Sequence, residues 1–343
     1  MTSSPQTESG DWRDAVLVLP HLRVQNANAI SSPMTWGFPA ITAFVGFMVA
    51  LERRLGADAG IRFLGVGLVC HGFDPQVTTE GYTRSFSLTR NPVQADGSTA
   101  GIVEEGRVHL DITLVFRAEV AASQLIDDAP RVALAQRVAD CVAGMRCAGG
   151  SVMPALPLPG ARPAQPLLVR VPQNAAEMAK RFRQLSRRWL PGFSLVARDD
   201  LLRQRLAAMR ESTPHATALD AWLDLSRWTH RATRRTKSGE AGLVETVEWA
   251  VDPRQGWTVP IPVGYAALSD LYPPGAVARA RSDSSQFRFV ESVYSIGQWV
   301  SPHRLRSLDQ LVWYSDFDPD TQLYRCLNDY TPPVQSPADP ATV

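Results

Sequence analysis

The first half of the chain alternates apolar blocks with polar connectors, and each block has the period of one type of secondary structure. Residues 16–24 form an apolar run that later alternates with polar residues, which predicts a buried strand with a half-exposed end. A connector rich in amides and hydroxyls follows, and because it contains Pro33 and Pro39 we expect it to be irregular. The apolar run 40–55 then predicts a helix.

The same pattern predicts two further strands, a second helix and a last short strand. Residues 61–70 and 107–120 have strand character, and the second segment alternates most clearly. Residues 130–145 start with proline and repeat apolar residues on one side, as a helix does, and 167–171 form a short strand. The order β, α, β, β, α, β predicts an α+β fold, with an RRM-like (ferredoxin-like) antiparallel sheet core and a helical and irregular extension.

A change of composition after residue 172 sets the predicted domain boundaries. We expect a disordered lead-in over 1–13, the RRM-like core over 14–172, a basic helical region over 173–240, a C-terminal α+β portion packing on the core over 241–330, and a flexible tail over 331–343. Helices are predicted at 173–189, 199–211 and 216–229. Residues 180–237 contain 14 Lys and Arg against 5 Asp and Glu, although the whole chain has a net charge of only +1.

Composition excludes several classes of protein. With 343 residues, 45% of them hydrophobic, the chain can bury a large core. No apolar run approaches the roughly 18 residues of a membrane-spanning helix, so we expect a cytoplasmic protein. The four cysteines are unevenly spaced and form no C-x-x-C pair, which predicts reduced thiols rather than a disulfide framework.

Motifs for cofactors and metals are incomplete, so neither is predicted. Gly65 and Gly67 begin a dinucleotide fingerprint, but Cys70 occupies the third glycine position. Asp316, Asp318 and Asp320 begin a calcium loop that lacks its glycine and its final glutamate. No two of the six histidines have the i, i+4 spacing of a helical metal site.

Three functions remain open on the residues alone. The amide-rich connector, Trp36 and the glycine loop 146–151 suit single-stranded RNA, whose bases stack on aromatic rings and whose phosphates accept from N–H groups. His21 could act as the base of a metal-independent ribonuclease. The aromatic last third, with Trp299 and Trp313, could instead join protein subunits without contacting RNA.

A resemblance to a known family favours the first of these functions. The block QNANAISSPMTWGFP, followed by SLTRNP, MRCAGGS, RWLPGFSLV and GWTVPIPVGYAALS, resembles the type I-F Csy family of CRISPR-associated RAMP proteins, over about residues 15–328. The resemblance implies an RRM-like core that caps the 5′ handle of the guide crRNA in the Csy (Cascade) surveillance complex of antiviral defence. It also implies hetero-oligomeric contacts with the large PAM-recognising subunit and with the first backbone subunit, possible contact with target DNA near the PAM, and no catalysis.

The resemblance also assigns site residues. The predicted RNA-binding residues are Arg23, Gln25, Asn26, Asn28, Ser31, Ser32, Trp36, Arg90, Asn91, Arg146, Gly149 and Gly150. His21 stands where the family often has arginine, so the resemblance does not carry a charged contact with RNA over to that position. No catalytic residue, metal ligand, cofactor or membrane contact is implied. Repeat-RNA endoribonuclease and protein scaffold are the alternatives.

Overall fold

The computed structural model describes residues 11–89, 93, 96–99, 103–154, 165–239, 242–252, 254, 256–280 and 282–333. The helices are α1 (Ile41–Leu55), α2 (Asp128–Ala143), α3 (Ala175–Arg187), α4 (Asp199–Ser212) and α5 (Ala218–Ser226). The strands are β1 (Trp12–Asn28), β2 (Ile30–Ser32), β3 (Thr35–Trp36), β4 (Ile61–Pro75), β5 (Val77–Glu80), β6 (Thr83–Phe86), β7 (Leu88–Thr89), β8 (Val103–Glu104), β9 (Arg107–Ala121), β10 (Arg146–Cys147), β11 (Gly150–Met153), β12 (Leu167–Arg170), β13 (Phe193–Ala197), β14 (His230–Gly239), β15 (Gly242–Val251), β16 (Trp257–Ala267), β17 (Val290–Val300), β18 (Val312–Asp318) and β19 (Leu323–Asn328).

The long strands β1, β4 and β9 form the centre of an antiparallel sheet. Strand β9 pairs with β1 on one side and β4 on the other, and the far edge of β1 pairs with β12 and β11. Helices α1 and α2 cover one face, where Phe44 and Val138 share a core with Leu17. The predicted α+β class and the antiparallel sheet are confirmed.

The opposite face of this sheet is covered as well. Successive residues of a strand point to opposite faces, so Val16 and Val18 lie on the side away from Leu17. There they pack with Phe182, Leu185 and Trp189 from α3 and the residues just after it. Burial on both faces explains why the strand begins as an uninterrupted apolar run.

A second half of the sheet continues from β4 and closes on it. Strand β4 pairs with β13 and β18 along the edge that faces away from β9, and the order β13, β17, β16, β19, β18 then completes a ring. Gly65 and Gly67 allow β18 to approach, because a β-carbon at Gly67 would lie 2.5 Å from Leu311 and one at Gly65 would collide with Val312. The two glycines therefore serve strand packing.

The structure differs from three sequence predictions. The connector 25–36 is not irregular: β1 continues to Asn28, and Pro33 lies in the turn between β2 and β3. The strand can continue because Asn26, at φ +59°, sits in a bulge that absorbs the extra residue.

The other two differences concern the predicted domain boundaries. Trp12 and Arg13, predicted to be disordered, pair with β9, while residues 1–10 lie outside the described part. The basic region 173–240 contains the three predicted helices but also β13 and β14.

No described helix is long and apolar enough to cross a membrane.

Candidate nucleic-acid interface

The predicted glycine loop is the turn of a β-hairpin. Strands β10 and β11 pair through Cys147 and Gly150, which leaves Ala148 and Gly149 as the two turn residues. Their φ angles are +47° and +80°, the left-handed pair that a two-residue type I′ turn requires. The guanidinium of Arg146 donates to the Gly149 carbonyl oxygen, with Nε at 3.1 Å, and so holds the turn closed.

This hairpin lies directly along the amide-rich end of β1. Gln25 pairs with Ser151, and Arg23 pairs with Met153. The backbone N–H of Asn28 donates to the Ala148 carbonyl oxygen at 2.8 Å. Two blocks more than a hundred residues apart in sequence, both predicted to bind RNA, are therefore neighbours in the fold.

Polar side chains from the two blocks form a row across three strands. Ser151 pairs with Gln25 on one side and with Arg146 on the other, and directly paired residues share a face of the sheet. All three are exposed, whereas Val24, Cys147 and Val152 are buried. We call Arg23, Gln25, Ser151 and Arg146 the polar row. Within the described part of the chain, the side chains of Arg23 and Gln25 make no hydrogen bond or ion pair.

Asn26 belongs to a small polar cluster next to this row. Its backbone N–H donates to Nδ1 of His109 at 3.3 Å, and its side-chain oxygen accepts from Gln76. The Gln76 amide nitrogen also lies 3.0 Å from Nε2 of His109. Gln76 and His109 were not among the predicted site residues, and Ser151 was predicted only as the last residue of the glycine loop 146–151.

Three other predicted site residues stabilise the backbone locally. The Asn28 amide donates to the Ile30 carbonyl oxygen at 2.8 Å and accepts from the Ile30 N–H at 3.2 Å. Ser31 and Ser32 both hydrogen-bond to Thr35 Oγ1, at 2.8 and 2.6 Å, and Ser32 is buried. Their polar atoms thus hold the β2–β3 hairpin that follows β1.

Trp36 is the predicted stacking residue, and 56% of its surface is exposed. It contacts Phe86 edge-on, with the ring centroids 5.6 Å apart. Trp36 also lines a cleft of about 360 Å³ whose other aromatic walls include Phe193, Trp257 and Trp299. Arg90 and Asn91 lie outside the described residues, so their place relative to this surface stays a prediction.

His21, the nuclease candidate, lies in a different environment. Its Nδ1 is 3.1 Å from a carboxylate oxygen of Asp111, and its ring stacks on His71 at 4.2 Å between centroids. His71 Nδ1 donates to the Pro191 carbonyl oxygen at 2.7 Å, so Nε2 accepts from the Thr113 hydroxyl at 2.7 Å. Burial lowers the pKa of His71, which keeps this ring neutral and structural near pH 7.

The described residues contain no group of three or more His, Cys, Asp or Glu side chains arranged to hold a metal ion. Burial raises the pKa of the Cys147 thiol to about 12, so this group next to the polar row is an apolar packing residue. The chemistry of the surface is therefore that of amides, hydroxyls, guanidinium groups and backbone N–H groups.

Two comparisons with known proteins agree on one family. Residues 17–326 match the profile of the family described as CRISPR-associated protein (Cas_Csy2). A protein of Pseudomonas aeruginosa (strain UCBPP-PA14) named CRISPR-associated protein Csy2 is 45% identical over 318 residues, which are 91% of this chain and 94% of that relative.

Proposed function

The chain belongs to the Csy2 family of CRISPR-associated proteins of the type I-F system, and from that membership we propose that it is a non-catalytic subunit that caps the 5′ handle of the guide crRNA. In this proposal it works in the cytoplasm, pairs with the large PAM-recognising Csy subunit and contacts the first backbone subunit. It needs no cofactor, because positioning an RNA end requires contacts rather than chemistry.

The observation that carries the proposal is the contact between the Gln25–Asn28 segment and the glycine turn. The arrangement aligns the Arg146 guanidinium in one row with the side chains of Arg23 and Gln25, which have no hydrogen-bond or ion-pair partner among the residues that the structure describes. Guanidinium groups bind phosphate oxygens, and amides read the edges of unpaired bases. A single strand crossing the polar row would find both kinds of partner within one or two nucleotides.

The packing of α3 against the sheet also supports RNA binding at the polar row. The strand order β12, β1, β9, β4, with α1 and α2 on one face, is the order of an RRM-like core, and we infer that the chain has one. RRM domains stack bases on the face of the sheet opposite the helices. Here α3 occupies that face, so RNA contact moves to the polar row and to Trp36.

The test is a binding titration with the full chain, alone or in its copurified complex. The variant Arg23→Ala/Gln25→Ala removes two exposed side chains without a described partner, and we expect handle RNA to bind about tenfold more weakly or worse. The variant Arg53→Ala/Gln204→Ala removes the same residue types at exposed positions on α1 and α4 and should bind like the parent. A single strand with a scrambled handle gives the non-specific background.

Each outcome decides between the candidate functions. Equal affinities of both variants for the handle would overturn the proposal. Cleavage of repeat RNA in EDTA that His21→Ala abolishes would favour the ribonuclease, for which the His21–Asp111 pair is the relevant observation. Retention of partner subunits without any handle dependence would favour the scaffold.

A further inference from the structure

Helix α3 has two sharply different faces. Phe182 and Leu185 are buried against the sheet. Lys180, Arg183 and Arg187 recur at the i, i+3, i+7 spacing that places side chains along one side of a helix, and all three are exposed. The apolar side accounts for the position of the helix, whereas packing within the chain does not explain the basic side.

The positive charge of this side is not neutralised within the described part of the chain. Arg181 and Arg188 are also exposed and flank the same side, and none of these five basic side chains takes part in an ion pair. Glu177 is the single acidic residue of α3. We call Lys180, Arg181, Arg183, Arg187 and Arg188 the α3 basic face.

Basic residues from other elements extend this face. A groove of about 440 Å³ is lined by Arg131 from α2, Arg170 from the edge strand β12, and Lys180 and Arg181. Glu177 lines it too, and Arg131 is paired with Asp128, so the carboxylates offset only part of the charge. The elements α2, β12 and α3 thus direct positive charge to one surface, which is the requirement for binding a polyanion.

The absence of accessible aromatic rings on α3 decides what kind of polyanion fits. Single-stranded nucleic acid is held by stacking bases on aromatic side chains, but Phe182 and Trp189 are 1% and 3% exposed. A double helix hides its bases and is bound through phosphates by arginine and lysine. We propose that the α3 basic face, with Arg170, docks on the phosphate backbone of double-stranded nucleic acid.

This surface is separate from the polar row. Strand β12 pairs with residues 15–18 of β1, whereas β11 pairs with residues 23–25. At about 3.3 Å per residue the two pairings are centred roughly 25 Å apart along β1. A double helix on α3 and a single strand on the polar row can therefore be bound together and tested independently.

The experiment measures how binding of a short DNA duplex, the matching RNA duplex and one single strand depends on salt. In Lys180→Glu/Arg183→Glu/Arg187→Glu, we expect the slope of log K against log salt for a duplex to become shallower by about 3, since each lost phosphate contact removes about 0.9. The variant Arg53→Glu/Arg203→Glu/Arg279→Glu makes the same charge change at exposed positions and should retain the parental slope. The two duplexes show whether DNA or RNA is preferred.

Further measurements keep the proposal falsifiable. Circular dichroism checks that the variants are folded, and the glutamine version of the α3 triple variant, which adds no negative charge, should show the same direction of change. An unchanged duplex slope, or an equal loss in the control variant, would overturn the proposal. So would a loss confined to the single strand, or a loss of a copurifying protein with duplex binding intact.

Discussion

Gly150 lies so close to Gln25 that a β-carbon at position 150 would stand 2.6 Å from the Gln25 carbonyl oxygen. The same carbon would stand 2.7 Å from the backbone nitrogen of Ala27. Backbone atoms of a paired strand cannot move aside as the end of a side chain can. The missing side chain therefore allows the β10–β11 hairpin to pair with β1 and to align the polar row.

We predict that Gly150→Ala lowers the free energy of unfolding by about 1–3 kcal/mol, because the hairpin must shift away from β1. The same shift should weaken handle binding. Gly46→Ala is the control: Gly46 lies in α1 with no atom within 4 Å of the added carbon, so alanine should stabilise the helix by about 0.5–1 kcal/mol. Urea denaturation of both variants measures the difference, and a parental midpoint for Gly150→Ala would contradict the packing argument.

Alanine should affect different properties at Asn28 and at Gln25: stability at Asn28, and affinity for handle RNA at Gln25. Asn28→Ala removes two hydrogen bonds to Ile30 and should cost about 1–2 kcal/mol of stability. Gln25→Ala removes an exposed side chain and should change stability by less than about 0.5 kcal/mol. Titration with handle RNA and thermal unfolding of each variant test this. Only Gln25→Ala should lower the affinity for handle RNA while leaving the stability unchanged. Asn28→Asp, which keeps the acceptor for the Ile30 N–H, should be intermediate in stability.

The stability of the protein should fall below about pH 6.5 partly because of His71. Burial lowers the pKa of this ring in the folded state, so the unfolded chain binds the proton first as the pH falls. The neighbouring His21 lowers the pKa of His71 further and Asp111 raises it, but burial has the largest effect. His71→Gln should therefore show a smaller loss of stability than the parent between pH 7.5 and 5.5, measured by urea midpoints. Parallel pH profiles for the two proteins would refute this assignment.

Three thiols should be protected from alkylation in the native state. Burial raises the pKa of Cys70 and Cys147 to about 12 and that of Cys326 to about 11. Because the thiolate is the reactive form, iodoacetamide at pH 8 should modify these residues slowly, and rapidly once urea unfolds the chain. Mass spectrometry of time points measures this, and rapid native labelling of Cys147 would show that β10 opens readily.

The sequence predicted the elements that burial determines. The run 16–19 defines β1 because both of its faces are packed, and the alternation at 107–120 defines β9 because its more deeply buried residues share one face. Helices α3, α4 and α5 appear where their periodicity placed them. Local pattern failed where one residue changes the backbone. The left-handed φ of Asn26 keeps β1 in the sheet beyond Gln25, and no periodicity contains that information.

The site was predicted in parts but not as an arrangement. Gln25 and Gly149 were both chosen, yet their proximity depends on β11 pairing with the edge of β1. Residue type alone also favoured some candidates too strongly. The hydroxyl of Ser32, for example, already hydrogen-bonds to the Thr35 hydroxyl and to the Met34 N–H. Gln76 and His109 were missed because each becomes relevant only through contact with the Asn26 bulge.

Strand β4 has consequences for how the chain can be divided. It is bonded to β9 along one edge and to β13 and β18 along the other. A fragment ending near residue 172 would retain the polar row but would leave that second edge of β4 unpaired. Because Gly65 and Gly67 have no side chain, this edge could pair with a strand of another molecule. Such a fragment should self-associate when expressed, so an isolated RNA-binding piece is better obtained by changing residues than by shortening the chain.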